Sequence, residues 1–562
     1  MTVSSRSFLK DQLRAAGQAI RRGWDVLVIK GPSQFQFWLI ALFIGIAAGL
    51  AASLFRKSVN ALQGWVYGTD DVAMLHSFAE TLPWYLILIV PICGGLAVGL
   101  ILHFFTPDGR ARSVADVIEG AALGEGRVET KAGIASVFAS IITLGTGGSS
   151  GREGPVVHMA GLISTWVSDR IQASGLTSRD LLGCAVAAAV SASFNAPIAG
   201  ALFALEVVLR HFALHAFAPI TIAAVSGAVI ARVQFGEIAE FALPVANILE
   251  FYVELPAFLL LGLMCGLVAS ALMYAVFFAE DAGNLIQDRL RLPRWLRPVV
   301  AGAMLGGLAI GFPHIIGVGY ETTFAALNGS LLLHEAVVFT ILKVVAVAIT
   351  LGGRMGGGVF SPSLMVGALV GLAFGIVATG VFPEMSGSPN VYALAGMGAV
   401  SASVIGAPIS TTLIVFELTG DWQIGLAVMV AVSMSSALSA NLVTRSFFLT
   451  QLERRGVRLA AGPHAYVLAM MRVSRVMRAP DHERAAPEAA CWQMIEDGIY
   501  VDAGATLEVA MTIFERTSAQ FLPVVQIAGE GAPPELLGAV FHVDALRHYN
   551  AALAEISREE HS

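Results

Sequence analysis

Runs of apolar residues without a single Asp, Glu, Lys or Arg recur up to about residue 460: Phe35–Phe55, Leu255–Ala279, Met355–Pro383, Met385–Phe416 and Trp422–Thr444. Each exceeds the roughly 20 residues that an α-helix needs to cross a bilayer core. The pattern therefore predicts an all-α polytopic membrane region. After about residue 460 the pattern changes: charged residues, Pro and His appear and no spanning run remains. Val473–Met477, Tyr500–Met511, Phe521–Val525, Leu537–Phe541 and a helix opening at Asp544 read there as β-α-β-β-α, a small soluble α/β domain.

Composition agrees. The 562 residues are 56% hydrophobic and 13% charged, against about 25% charged in soluble domains. Mean hydropathy is +0.73. The 58 glycines suit close helix–helix approach in lipid. The net charge of −7 says little; placement says more. Arg6, Lys10, Arg14, Arg21, Arg22 and Lys30 precede the first span against only Asp11 and Asp25. The positive-inside rule puts that end in the cytoplasm. Arg289, Arg291, Arg294 and Arg297 mark a cytoplasmic mid-chain loop, and Arg445, Arg454 and Arg455 place the tail on the same side. The first span lacks a signal peptide's short core and cleavage site and should be retained in the plasma (inner) membrane. Expected boundaries are 1–35 (cytoplasmic amphipathic segment), 36–250 and 251–460 (two membrane repeats) and 461–562 (cytoplasmic domain). Cys93, Cys184, Cys265 and Cys491 show no CxxC spacing, so a metal site is not supported and buried small hydrophobes are the plainer reading.

The membrane region repeats internally. Val190-Ser-Ala-Ser-Phe-Asn-Ala-Pro-Ile198 leads to Glu206, and Val400-Ser-Ala-Ser-Val-Ile-Gly-Ala-Pro-Ile409 leads to Glu417. Each Pro stands nine residues before its Glu, and the two Pro are 211 positions apart. Gly151-Arg-Glu-Gly-Pro155 has its counterpart in Gly356-Gly-Gly-Val-Phe-Ser-Pro362, about 207 residues later. Both are glycine turns leading into a Pro-initiated helix. Duplicated halves with broken helices suggest a transporter-type inverted repeat, its site where helix ends of the two halves meet.

Glu153 is the singular residue. A helix N-terminus carries unpaired N–H groups and partial positive charge, so it attracts anions. A carboxylate parked there at membrane depth is costly and functional by default. It can compete with a dissolved anion for the same donors.

These residues resemble the CLC family of chloride channels and proton-coupled chloride transporters. Gly151–Pro155 matches its most specific motif, Gly358-Val-Phe-Ser-Pro362 its GxFxP motif, and Phe194-Asn-Ala-Pro197 the helix break that follows. The resemblance implies tilted, incomplete helices in an inverted repeat and one anion pore per subunit of a homodimer. Backbone N–H groups around Arg152, Glu153 and Gly154, and around Val359 and Phe360, would line anion sites. Glu153 would be the gate, released by protonation, with Arg152 shaping the field and anchoring its loop. Backbone donors suit conduction because they hold an ion weakly enough to release it.

Three departures from the family pattern bear on mechanism. Arg112-Ser113-Val114-Ala115-Asp116 stands where the family has GSGIP; Ser113 keeps the anion-contacting hydroxyl, with a simple helix cap as its plain alternative. Phe448, or Phe447 if the register slips, replaces the central-site tyrosine and loses its hydroxyl. Val207 stands where proton-coupled relatives carry an inner glutamate. Glu206 reads as a structural, hydrogen-bonded carboxylate like Glu417, while a proton role through it stays open. Passive or weakly proton-coupled chloride conduction is therefore favoured, with strict proton exchange the alternative. A fluoride exporter is disfavoured by Pro155 and Ser113. A membrane serine hydrolase, from Gly147-Gly-Ser149-Ser-Gly151 with His158, lacks a preceding strand and an acid partner. The tail resembles a single cystathionine-β-synthase (CBS) domain. Such domains often bind adenine nucleotides; a dimer contact is the equal alternative. No cofactor and no nucleic-acid partner are expected; the partners are chloride and similar anions, protons, lipid bilayer and a second copy of the chain.

Overall fold

The computed structural model describes residues 33–69, 74–212, 214–236, 251–384, 386–457, 459, 468, 471–482, 484–517, 519–526 and 535–561. The expected N-terminal amphipathic segment and its cationic residues lie almost wholly outside them. Seven helices among these residues are long and apolar enough to cross a membrane. They are Gln34–Tyr67, Trp84–Phe105, His215–Phe235, Val253–Arg289, Leu333–Gly352, Phe360–Val381 and Trp422–Glu453, the last joining two helices across a short turn. Shorter apolar helices fill the space between: Thr130–Gly145, Pro197–Leu209, Leu296–Gly311, Pro389–Ile405 and Pro408–Thr419.

Local chemistry sets the ends. Ser33 and Gln36 form a capping box at the first helix, and Ser174, Ser388 and Asp421 each accept an N–H at their own helix start. The repeated breaks follow one rule. Helix Gly175–Phe194 ends on Asn195 at φ 57°, and the next begins at Pro197. Helix Pro389–Ile405 ends on Gly406 at φ 78°, and the next begins at Pro408. A left-handed residue followed by proline stops one helix and starts another. The uncharged window Met385–Phe416 is thus two half-helices, not one span.

Close approach holds neighbouring helices of the second half together. A Cβ on Gly367 of helix Phe360–Val381 would lie 2.3 Å from the Gly396 carbonyl oxygen of helix Pro389–Ile405. Only glycine permits that packing, as small residues commonly do between membrane helices. Cys184 and Cys265 are buried as expected, whereas Cys93 is exposed on an outer helix face.

Two compact units make up the chain, the membrane unit reaching Val457. The tail unit has a three-stranded sheet: β1 (Val501–Asp502) runs parallel to β2 (Phe521–Gln526), which is antiparallel to β3 (Glu535–Phe541). Val473, Val501, Leu507, Phe514, Leu522, Val524 and Val540 form its core. Two features depart from the β-α-β-β-α reading: Val473–Arg475 is a 3-10 turn where the first strand was expected, and the long stretch between Met477 and Tyr500 contains a helix, Glu488–Glu496.

Candidate functional site

The two glycine turns meet. Gly151 N–H donates to Gly358 O at 2.7 Å, and Gly358 N–H donates back to Gly151 O at 2.8 Å. Ser150 Oγ donates to Gly356 O (3.2 Å), and Gly356 N–H to Thr143 Oγ1 (3.0 Å). Gly357 sits at φ +127°, where a Cβ would fall 2.1 Å from Ser150 Oγ. Glycine is required there both by conformation and by space. Gly154 packs on Gly358, its Cβ direction 3.2 Å from Gly358 Cα. This clasp starts helices Glu153–Arg170 and Phe360–Val381 side by side.

Glu153, only 3% exposed, turns its carboxylate onto the second helix start. It accepts Ser361 Oγ–H at 2.5 Å and Ser361 N–H at 3.3 Å. The protein's own anion thus caps the other half's helix, satisfying donors that a dissolved anion would otherwise take. Val359 is the N-cap and Phe360 the first residue of that helix. Phe360 packs on Phe194 (centroids 4.8 Å) and Phe203 (6.1 Å). Arg152 Nη2 donates to Ser193 O at 2.9 Å, and its guanidinium lies 5.3 Å from the Tyr320 ring centre. Its Nε is 3.7 Å from Glu153 Oε1.

The carboxylate-on-opposite-helix arrangement occurs twice more. Glu417 accepts N–H groups of Ile198 (3.0 Å) and Ala199 (2.8 Å). Glu206 accepts N–H groups of Ile409 (3.0 Å) and Ser410 (2.8 Å). Each half's glutamate closes the other half's helix, as the structural reading of Glu206 expects. Val207 is buried in the π-helical turn Ala204–Leu209 beside it and has no ionisable group.

A cavity of about 50 Å³ opens behind the clasp, lined by Gly357, Gly358, Val359, Phe447 and Phe448 and, opposite, by Arg110, Arg354, Glu280 and Gln451. Val359 and Phe448 line the same cavity. Ser113 does not join them: it is not among the lining residues, and its N–H is capped by Asp116 Oδ2 at 2.7 Å. The aspartate at the position of the family proline explains this, since a carboxylate three residues on closes the helix start. Beside it, Arg112 Nη1 donates to Asp108 Oδ2 at 2.8 Å and Arg110 Nε at 3.1 Å. Burial works to raise the Asp108 carboxyl, but hydrogen bonds and charge from Arg112 and Arg110 outweigh it and hold it below its usual range. Ser149 and His158 form no dyad. No hydrogen bond joins Ser149 Oγ to a His158 ring nitrogen among the described residues.

Sequence reasoning missed Ser361 as a donor to Glu153, although the motif Gly358–Pro362 displays its hydroxyl. It also missed Arg110 and Arg354, which match no motif.

The model of the voltage gated chloride channel family matches residues 94–440. The chain belongs to this family. Among its relatives, the ClcB-like chloride channel protein of Ralstonia nicotianae is 33% identical over 396 residues, 70% of this chain and 91% of the relative. The H(+)/Cl(−) exchange transporter ClcA of Vibrio cholerae is 29% identical over 444 residues, 76% of this chain and 91% of that one. The crystal structure of a slow cyanobacterial Cl−/H+ antiporter shares the fold, with TM-score 0.66 at 22% identity over 75% of this chain and 98% of the other. Family membership makes this an integral membrane protein of the CLC anion-transport class, whose members are channels and transporters.

Proposed function

We propose that the chain conducts chloride and similar anions through one pore per subunit, gated by Glu153, in a passive or weakly proton-coupled manner. The observation that carries this reading is the Glu153 carboxylate, buried and seated on the Ser361 donors at the start of the opposite half's helix. Protonation removes its charge and its competition for those donors, so an anion takes the place. Valine at 207 and phenylalanine at 448 support the passive side: neither carries a proton, and Phe448 cannot donate a hydrogen bond to a central anion.

Strict proton-coupled exchange is the competing reading. The name of the Vibrio cholerae relative favours it. Purified protein in liposomes separates the two: chloride efflux is recorded together with proton movement under an imposed chloride gradient. Passive conduction gives chloride flux without uphill proton transport. Sustained uphill pumping at a fixed ratio establishes the exchanger instead.

For topology, the proposal keeps both termini cytoplasmic in the plasma membrane, on the charge pattern. A homodimer is supported by exposed Ile198 and Ile409 on the two half-helices that the swapped glutamates tie together. The tail is proposed as a CBS-like regulatory or dimer-contact module, with adenine nucleotide as its candidate ligand.

A further inference from the structure

Lys343 is a cation to which the gate so far assigns no part. It stands midway along helix Leu333–Gly352 and is 0% exposed. Its Nζ donates to Gly317 O at 2.9 Å and to Ile315 O at 3.4 Å. No carboxylate pairs with it among the described residues; its partners there are backbone carbonyls. The ionisable groups of the adjoining segment are engaged elsewhere: Glu321 holds His76 at 3.0 Å, and His314 stacks on both His76 and Phe339. A buried full charge without a counter-charge is costly, and at membrane depth it is functional by default. Two carbonyls do not account for it, because a neutral donor would serve them at a smaller desolvation cost.

Gly317 ties this ammonium to the gate turn. Its C=O accepts from Lys343, and its N–H donates to Gly147 O at 3.3 Å. Gly147 opens the stretch that leads to Glu153. Gly319 ties the ammonium to the start of the opposite helix. It has φ +90°, and a Cβ there would fall 2.3 Å from Met365 Sδ and 3.3 Å from Lys343 Nζ. The ammonium and the Met365 side chain are therefore close neighbours. Met365 stands four residues, about one helical turn, beyond Ser361. Ser361 is the residue that seats the Glu153 carboxylate. Around that seat the other cation is Arg152, whose Nε lies 3.7 Å from Glu153 Oε1.

We propose that Lys343 is a positioning residue for the gate, a fixed counter-charge that holds Glu153 ionised in its seat and so sets the pH of release. This role rests on the reading of Glu153 as the gate. The missing partner of the buried cation is then the gate carboxylate itself. Gly317 and Gly319 fix the distance between them, one through hydrogen bonds on both of its peptide groups and one through close packing.

Three substitutions separate charge from hydrogen bonding, read by chloride efflux from liposomes across a pH series. Lys343→Gln keeps a donor for the carbonyls but no charge, and Lys343→Met keeps neither. At low chloride both should raise the pH of half-maximal flux by about one unit. That is the effect of one charge on the order of 10 Å away at an effective dielectric of about 20. The shift should narrow at saturating chloride, where an anion replaces the carboxylate beside the same charge. Lys343→Arg keeps the charge and should stay near the wild-type midpoint. In a Glu153→Gln background, Lys343→Gln should leave flux flat with pH.

Wild-type midpoints in both neutral variants overturn the proposal. A shift in Lys343→Met alone makes the residue a hydrogen-bonding strut and overturns it too. Failure of both neutral variants to fold does the same, since a charge answered by the gate is dispensable for folding. In all three cases the gate reading stands, because Glu153→Gln alone reports on it. If that single variant keeps the wild-type pH dependence, the gate reading fails and the role of Lys343 falls with it.

Discussion

Removing one oxygen atom at Ser361 tests the gate most finely. In Ser361→Ala the carboxylate of Glu153 loses the hydroxyl donor at 2.5 Å while the Ser361 N–H at 3.3 Å and the Arg152 guanidinium stay beside it. A hydrogen bond to a charged group contributes about 1.5–3 kcal/mol. The lost donor favoured the ionised, seated gate, so its removal makes protonation and release easier. At about 1.36 kcal/mol per pH unit, the pH of half-maximal chloride flux should rise by about 1–2 units. Ser361→Thr keeps a hydroxyl and should stay near the wild-type midpoint. Stopped-flow chloride efflux from liposomes across a pH series reads both. A midpoint in Ser361→Ala equal to wild type would refute the latch, because the hydroxyl would then contribute nothing to seating the carboxylate. A shift of the same size in Ser361→Thr would point to packing rather than hydrogen bonding.

The swapped glutamates should behave as a matched pair: Glu206→Gln and Glu417→Gln each weaken N–H contacts across the repeat. Each should lower thermal stability in detergent by about 1 kcal/mol while chloride flux persists. Loss of flux in Glu206→Gln at unchanged stability would instead make it part of the transport path. His76 should confer acid sensitivity on the fold. Burial first, then the charge of His314, push its pKa down to about 4 against the pull of Glu321. Unfolded histidine titrates near about 6.5, so between those values the unfolded chain binds more protons. Stability present above about pH 6.5 is therefore lost as pH falls toward about 4. Thermal melts across that window should show the decline, and His76→Asn should flatten it; an unchanged slope would remove His76 as the cause.

Much of the site was legible because it is local. Gly151–Pro155 and Gly358–Pro362 each announce a helix start in five residues, and the equal Pro-to-Glu spacing announces the repeat. What sequence cannot show is which group faces which. Glu206 and Glu417 sit on their own half-helices, yet each bonds the other half's N-terminus over a separation of more than 200 residues. The hydroxyl of Ser361 was visible, but its role depends on the clasp that brings Glu153 alongside. The environment of Ser113 was hidden for the converse reason: its hydroxyl was visible, while the cap that Asp116 places on its N–H follows from no family motif. Arg110 and Arg354 lie in irregular loops, where periodicity gives no direction to a side chain. The uncharged window Met385–Phe416 was read as one span since hydropathy ignores a left-handed Gly406 followed two residues later by Pro408.

Chloride efflux from liposomes at a series of pH values, comparing wild type with Glu153→Gln, bears most directly on the gate. Glutamine keeps the shape of the side chain but carries no charge at any pH. Wild-type flux should rise as pH falls, and Glu153→Gln flux should be high and flat across the same range. A mutant that retains the wild-type pH dependence would contradict Glu153 as the gate.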